Sequence, residues 1–337
     1  MKLASLKSGR DGRLIIVNRA LTRAAHASAI APTLQSALDR WHETEPLLRE
    51  LAAELESGRV ASIPFREADC AAPLPRAYQW IDGSAYVNHV QLLRRARGER
   101  LPDSFWAQPL LYQGGSDDMR GPRDSIDVPR EDAGVDFEAE VAIITDDVPM
   151  GTAAAAAANH IKLYMLANDV SLRRLIPAEL AKGFGFFVGK PATAFSPAAV
   201  TADELDGSLS ADAPCLPLQV AVNGEPFGRA RPDLDRVFTF ADLIAFAAQT
   251  RNLSAGTIVG GGTVSNKLGE EPGRPISEGG AGYSCIAELR AVETLRHGAA
   301  RTPFLRFGDR VSIEMLAADG TSVFGRIEQT VTRYATP

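Results

Sequence analysis

Between positions 134 and 147 the chain reads GVDFEAEVAIITDD, and its polar and apolar residues alternate with the two-residue period of a β-strand. Val135, Phe137, Ala139 and Val141 form one face, and Asp136, Glu138 and Glu140 form the other. Same-face strand neighbours sit about 6.6 Å apart, so three successive carboxylates repel unless they are solvated or neutralised. The stretch is therefore either a wet edge or half of a metal site. Further strand patterns are KLYMLANDVS, LPLQVAVNG and DRVSIEML. MKLASLK and RLIIVNR flank the turn Ser8–Gly12 and predict a hairpin, and VNGEPFGRA predicts another around Asn223-Gly224.

Helical spacing runs from Thr33 to Leu55, with Gly58 as its stop, and recurs in AAAAAANH and FADLIAFAAQT. YSCIAELRAVE reads as an apolar, strand-like run with Glu288 inside it. Long βαβ alternation is absent, which predicts a mostly β (α+β) fold with peripheral helices. The Pro-rich stretch FREADCAAPLPRA reads as a connector. It divides a small N-terminal β/helical domain, residues 1–70, from a larger domain, residues 71–337.

Composition narrows the partners. Of 337 residues, 45% are hydrophobic and 23% charged, ordinary for a soluble globular chain. The formal net charge of −6 argues against nucleic acid or an anionic membrane as partner, while leaving room for an anionic substrate at a locally positive site. Cys70, Cys215 and Cys285 are scattered, with no CxxC, so neither a disulfide framework nor a cysteine zinc motif is indicated. With no secretory pattern at the N-terminus and no apolar run near the ~18 residues of a membrane helix, the expected location is the cytoplasm.

Several motifs fail on inspection. GFFVGKP has three residues between its glycines where a phosphate loop has four, and Pro191 stands where that loop has Ser or Thr. No GxSxG or HExxH is present. VGGGTVSN is either a tight turn or a place where backbone and Thr263 approach a ligand. The remaining acids are Glu138 and Glu140, Asp169 in NDVSLRR, Asp82 seven residues before His89 in DGSAYVNH, and Glu288. Four carboxylates without cysteine partners would make a hard oxygen cage suited to Mg²⁺, Ca²⁺ or Mn²⁺.

The ordered set D-x6-H, DFEAEVA, ND-x-S-x-R, GK before Ser-Pro, GTVSN and AEL, spread from Gln79 to Met315, resembles the fumarylacetoacetate hydrolase family, in particular its bacterial fumarylacetoacetase-like branch. The resemblance implies a mixed β-sheet, roll- or barrel-like catalytic domain and a homodimer. It implies Asp82, Glu138, Glu140 and Asp169 as ligands of a divalent metal, Mg²⁺ first and Ca²⁺ or Mn²⁺ as alternatives. His89 becomes the general base, oriented by Glu288. Lys190 and Arg173 meet developing negative charge, and Tyr112 and Thr263 contact the substrate carboxylate. Three departures stand out. Ile176 occupies the family's glutamine position, Arg94, Arg95 and Arg97 only approximate a substrate-binding arginine, and the Lys190-to-Ser196 spacing is one residue short.

The implied reaction is metal-dependent hydrolysis of a C–C bond in a small anionic β-diketo acid, fumarylacetoacetate or a related acylpyruvate, in aromatic amino-acid or aromatic-compound catabolism. Such a reaction needs a polarised carbonyl, a stabilised enolate leaving group and a base for water. The alternative within the same family is a decarboxylase, isomerase or hydratase of 2-oxo acids. A non-catalytic ligand-binding scaffold is the remaining reading, and its expected sign, loss of His89 or of a ligand acid, is absent.

Overall fold

A computed structural model describes residues 1–205, 207–269 and 273–335. Its organising element is strand Ala139–Thr145, buried along its whole length. Because side chains alternate, Val141 and Ile143 enter one core and Ala142 and Ile144 enter another. Fully burying each Val or Ile contributes about 1.5–3 kcal/mol. A one-residue slip would exchange the two faces, so the strand is held rigidly in register.

An 11-stranded sheet is built around this strand. On one side it continues through Ile161–Asn168 and Ala198–Val200 to the N-terminal strands Lys2–Leu6, Arg13–Val17, Arg23–His26 and Ile63–Pro64. On the other it continues through Ile258–Gly260 and Trp80–Gly83 to Leu111–Gly114, and the eleventh strand, Ala194–Phe195, pairs with Ile161–Asn168 off this path. The sheet therefore has two edges and forms an open roll. A second, five-stranded sheet orders Glu225–Ala230, Leu218–Val222, Arg310–Met315, Ile327–Arg333 and Ile126–Val128. Phe137, Leu166, Val200, Leu218, Ile313 and Phe324 pack in the core that includes residues of both sheets. Leu34, Leu38, Trp41 and Leu48 of the N-terminal helices cover the other face, against Ile144, Leu163 and Met165.

The predicted hairpins form: Lys2–Leu6 pairs antiparallel with Arg13–Val17, and Leu218–Val222 with Glu225–Ala230. The helix expected over 33–55 is two helices, Leu34–Leu38 and Trp41–Ser57, the second closed by left-handed Gly58. Arg40 leaves helical geometry between them, and Thr44 Oγ1 bridges the break to the Ala37 carbonyl at 2.8 Å.

Two differences bear on the site. The strand expected over 136–144 is interrupted, with Val135–Asp136 and Ala139–Thr145 as separate strands. At the break, side chains replace ladder partners: Phe137 N–H donates to Asp136 Oδ1 and Glu138 N–H to Asn168 Oδ1. The strand-like reading of YSCIAELRAVE is corrected, because Ile286–His297 is an α-helix with Glu288 in its first turn. Ile286, Ala287, Glu288, Ala291 and Val292 are its buried residues, the spacing of one helix face.

Candidate metal centre and base dyad

Asp82 and Glu140 stand on two strands separated by strand Ile258–Gly260, which pairs with both. Alternation puts them on the same sheet face as Trp80 and Ala142. Gly260 lies opposite both Asp82 and Ala142, and a Cβ there would come within 2.4 Å of Asp82 Oδ1. The last glycine of the run turns the chain: Gly262 has φ +81°, and a Cβ there would meet the Gly83 carbonyl at 2.4 Å. The glycine run thus makes a tight turn and also keeps space beside a carboxylate.

Asp169, just past strand Ile161–Asn168, completes a group in which one carboxylate oxygen each of Asp82, Glu140 and Asp169 lies within 4.8 Å of the others. All three residues are buried. Asp169 is well supplied with donors: Thr193 Oγ1 at 2.7 Å, and Tyr112 Oη and Lys190 Nζ at 2.5 Å each. By contrast Asp82 Oδ1 and both Glu140 oxygens are buried without a hydrogen-bond partner. Burial, then the charge of Asp169, raises the Asp82 pKa well above the carboxylate range. Burial, then Asp82 and Asp169, does the same to Glu140. Orphaned, mutually repelling carboxylate oxygens are what a hard divalent cation satisfies, so the residues present fit such an ion.

Glu138, expected as a fourth ligand, is not part of that three-carboxylate group. It takes Arg173 Nη2 at 2.7 Å and Lys190 Nζ at 2.5 Å. Burial pushes its pKa up, but Arg173, Lys190 and His89 outweigh burial and hold it well below its ordinary value. Lys190 shows the mirror image: burial lowers its pKa, while Asp169 and Glu138 raise it above the usual lysine range.

His89 sits in the first turn of helix Val87–Ala96, which packs against helix Ile286–His297. Its Nδ1 lies 3.0 Å from Glu288 Oε1, and its Nε2 points toward Glu138, 3.9 Å from Oε1. With Nδ1–H donated to the carboxylate, Nε2 is free to accept a proton. Glu288 is 2% exposed.

Tyr112, besides its bond to Asp169, lies under Lys190 Nζ at 5.4 Å and packs edge-on against Phe186. Thr263 is buried just past the glycine turn and takes no part in these hydrogen bonds. Arg94 and Arg97 pair with Glu99. Ile176 opens a short helix and supports the lysine loop: a Cβ on Gly189 would meet its Cγ1 at 2.7 Å. Apolar packing thus occupies the family's glutamine position.

Two residues escaped sequence reasoning. Asp136, read as the start of a strand, is fully buried. Its oxygens accept N–H from Ile286 at 2.8 Å and Ala287 at 3.0 Å and pair with Arg173 Nε at 2.8 Å. It therefore anchors both Arg173 and the helix that carries Glu288. Glu179 accepts N–H from Phe187, Val188 and Gly189 at 3.2, 2.7 and 2.8 Å, pinning the segment that leads to Lys190. Acids at i and i+2 on one predicted strand face were the available signal for Asp136; nothing local marked Glu179.

The fumarylacetoacetate hydrolase C-terminal family model matches residues 79–332, and the fumarylacetoacetase N-terminal domain 2 model matches residues 1–76. The chain is 28% identical over 262 residues to the oxaloacetate tautomerase Fahd2a, mitochondrial, of Rattus norvegicus, covering 77% of this chain and 75% of that protein. It is 25% identical over 266 residues to the human oxaloacetate tautomerase FAHD2B, mitochondrial, with the same coverage of each chain. Its fold matches the fumarylacetoacetate hydrolase of Exiguobacterium antarcticum, at TM-score 0.67 and 17% identity over 99% of this chain and 100% of that one. It also matches the maleylpyruvate hydrolase of Sphingobium sp. SYK-6, solved with manganese(II) and pyruvate, at TM-score 0.63 and 18% identity over the same shares.

The expectation of a cytoplasmic location is corrected by these relatives, since the tautomerases are named mitochondrial. Few cysteines and no membrane-length apolar run describe a reducing organelle interior equally well, so those features do not select the cytoplasm. Carboxylates able to hold a divalent cation on this fold, together with the match over residues 79–332, place the chain in the fumarylacetoacetate hydrolase family.

Proposed function

We propose that this protein is a metal-dependent isomerase of small 2-oxo acids, moving a proton at the carbon beside the keto group and so interconverting the keto and enol forms of an oxaloacetate-like dianion. The observation that carries the reading is the His89–Glu288 dyad, an imidazole with Nδ1 held 3.0 Å from a buried carboxylate and Nε2 facing a pocket of buried charge. The relatives named oxaloacetate tautomerases support it.

In this reading Asp82, Glu140 and Asp169 hold the divalent ion, Mg²⁺ or Mn²⁺, and Glu138 serves as the counter-charge that keeps Arg173 and Lys190 beside it. When bound, the ion supplies Lewis-acid polarisation of the keto oxygen. His89 Nε2 takes the proton from carbon and returns it to the enol oxygen, so the reaction is an isomerisation with no net proton change. Glu288 stabilises the transient imidazolium. Lys190 and Arg173 offset charge that the ion leaves uncompensated, Arg173 being shared between Glu138 and Asp136. Tyr112 and Thr263 line the substrate side.

Hydrolysis of a β-diketo acid is the second reading, supported by the same dyad, which could equally activate water. The N-terminal module, residues 1–70, and a homodimeric assembly belong to both readings. Purified protein with Mg²⁺ is assayed against oxaloacetate, acetylpyruvate and fumarylacetoacetate, with a chelator control. Metal-dependent loss of the oxaloacetate enol absorbance, without cleavage products, supports the isomerase. Cleavage of either diketo acid with no effect on oxaloacetate replaces it with the hydrolase.

A further inference from the structure

A second group of side chains able to hold a metal ion differs in chemical character from the three-carboxylate group. One ligand atom each of His89, Cys285 and Glu288 lies within 4.8 Å of the other two. Cys285 and Glu288 are buried, and the His89 side chain, 12% exposed, offers the approach. The set is imidazole, thiol and carboxylate. Nitrogen and sulfur donors favour zinc and cadmium over magnesium or calcium, and three protein ligands leave a fourth position for water.

No sequence motif announces it. His89 and Glu288 are 199 positions apart, and Cys285 joins them only because the helix beginning at Ile286 packs against the His89 helix. Cys285 is the residue that caps this helix, yet its side chain makes no capping hydrogen bond. The thiol is thus not committed to the fold by a hydrogen bond there.

We propose that His89, Cys285 and Glu288 form an inhibitory site for a thiophilic divalent cation, Zn²⁺ or Cd²⁺, distinct from the Asp82–Glu140–Asp169 centre. Binding forms bonds from the metal to an imidazole nitrogen, a carboxylate oxygen and the Cys285 sulfur. The thiol proton is released to solvent, and no oxidant or reductant is needed. The ion occupies the imidazole that would otherwise exchange a proton, so turnover stops while the oxygen centre stays loaded. The inhibitory consequence rests on the His89 reading above; the binding does not.

The test uses full-length protein saturated with Mg²⁺ and titrated with Cd²⁺, following the ultraviolet charge-transfer band of a cadmium–thiolate bond. The wild type and the Cys215→Ser variant are expected to show the band, and Cys285→Ser to lack it. In parallel, Cys285→Ser is expected to need at least about tenfold more Zn²⁺ for half-inhibition, of the order seen when a metal site loses a supporting group. Cys285→Ala serves as a second variant should the serine protein fail to fold. A wild-type protein without the band, or a band of full amplitude in Cys285→Ser, overturns the site. So does zinc inhibition that is equal in both proteins and relieved by excess Mg²⁺, because the zinc would then sit in the oxygen cage. A band that depends on Cys285 in a protein inactive on 2-oxo acids supports the site and counts against the isomerase reading alone.

Discussion

Glu138 and Glu140 are two residues apart, both buried, and their surroundings are opposite. Glu138 is crowded by cations, with Arg173 at 2.7 Å and Lys190 at 2.5 Å. Glu140 has neither oxygen hydrogen-bonded and faces Asp82 and Asp169. Arg173 and Lys190 neutralise one carboxylate, while among the described residues no side chain or backbone donor reaches either oxygen of the other. Burial alone therefore says little about an acid's role; the partners of its oxygens say more.

The sharpest way to break this contrast is to remove each charge in turn. Glu138→Gln leaves Arg173 and Lys190 buried with a partner missing and is expected to cost about 3–5 kcal/mol in urea unfolding without metal. Glu140→Gln relieves like-charge repulsion, so metal-free stability is expected to hold or rise, while Mg²⁺ affinity in calorimetry falls about 10–100-fold or more. Equal stability losses in the two variants would erase the distinction.

Asp136 extends the comparison to the side of the dyad. Asp136→Asn retains a carbonyl acceptor but loses the charge facing Arg173 and the helix start. An expected loss of about 1–3 kcal/mol should come with a lower kcat and little change in Mg²⁺ affinity. Unchanged kcat would show that the anchor does not position Glu288.

How much of this was legible beforehand follows from what kind of signal each part leaves. Alternation over residues 135–141 and the apolar run that follows it marked the strand that carries Glu140, because a strand's faces are written in local sequence. The helix bearing Glu288 was not legible at its start. Its cap position is Cys285, without a capping bond, and its first amides are satisfied by Asp136, 150 positions away. The usual Ser, Thr, Asp or Asn signal was therefore absent. Its end did carry signals, Arg296 and His297 followed by left-handed Gly298. The ion pairs of Glu138 with Arg173 and Lys190 were hidden for a related reason. The resemblance counted Glu138 with the cage, and local sequence did not show that the strand breaks at 137–138, where Asp136 and Asn168 side chains take the backbone bonds.

A further expected effect concerns a residue that takes no part in the site. Lys2 is buried, its ammonium donating to the Ser322 and Val323 carbonyls, and desolvation lowers its pKa to about 8. Between about pH 8 and the ordinary lysine value near 10.5 the unfolded chain binds more protons than the folded one. The Lys2 contribution to stability therefore rises with pH across that window, by a few kcal/mol at most. Burial raises the Cys70 thiol pKa to about 12 and acts in the opposite direction over the same window. The measurement is therefore the stability difference between wild type and Lys2→Met in urea unfolding. It should grow in favour of the wild type from about pH 8 to 10.5, and a difference that shrinks would place the charged form in the folded state.

The central claim is that His89, held by Glu288, exchanges a proton with a substrate beside a cation at Asp82, Glu140 and Asp169. Its most direct test compares the wild type with His89→Gln, both loaded with Mg²⁺, following enol–keto interconversion of oxaloacetate alongside Mg²⁺ calorimetry. The expected result is a kcat lower by about 10²–10⁴-fold with Mg²⁺ affinity unchanged. Near wild-type turnover in His89→Gln would contradict the account.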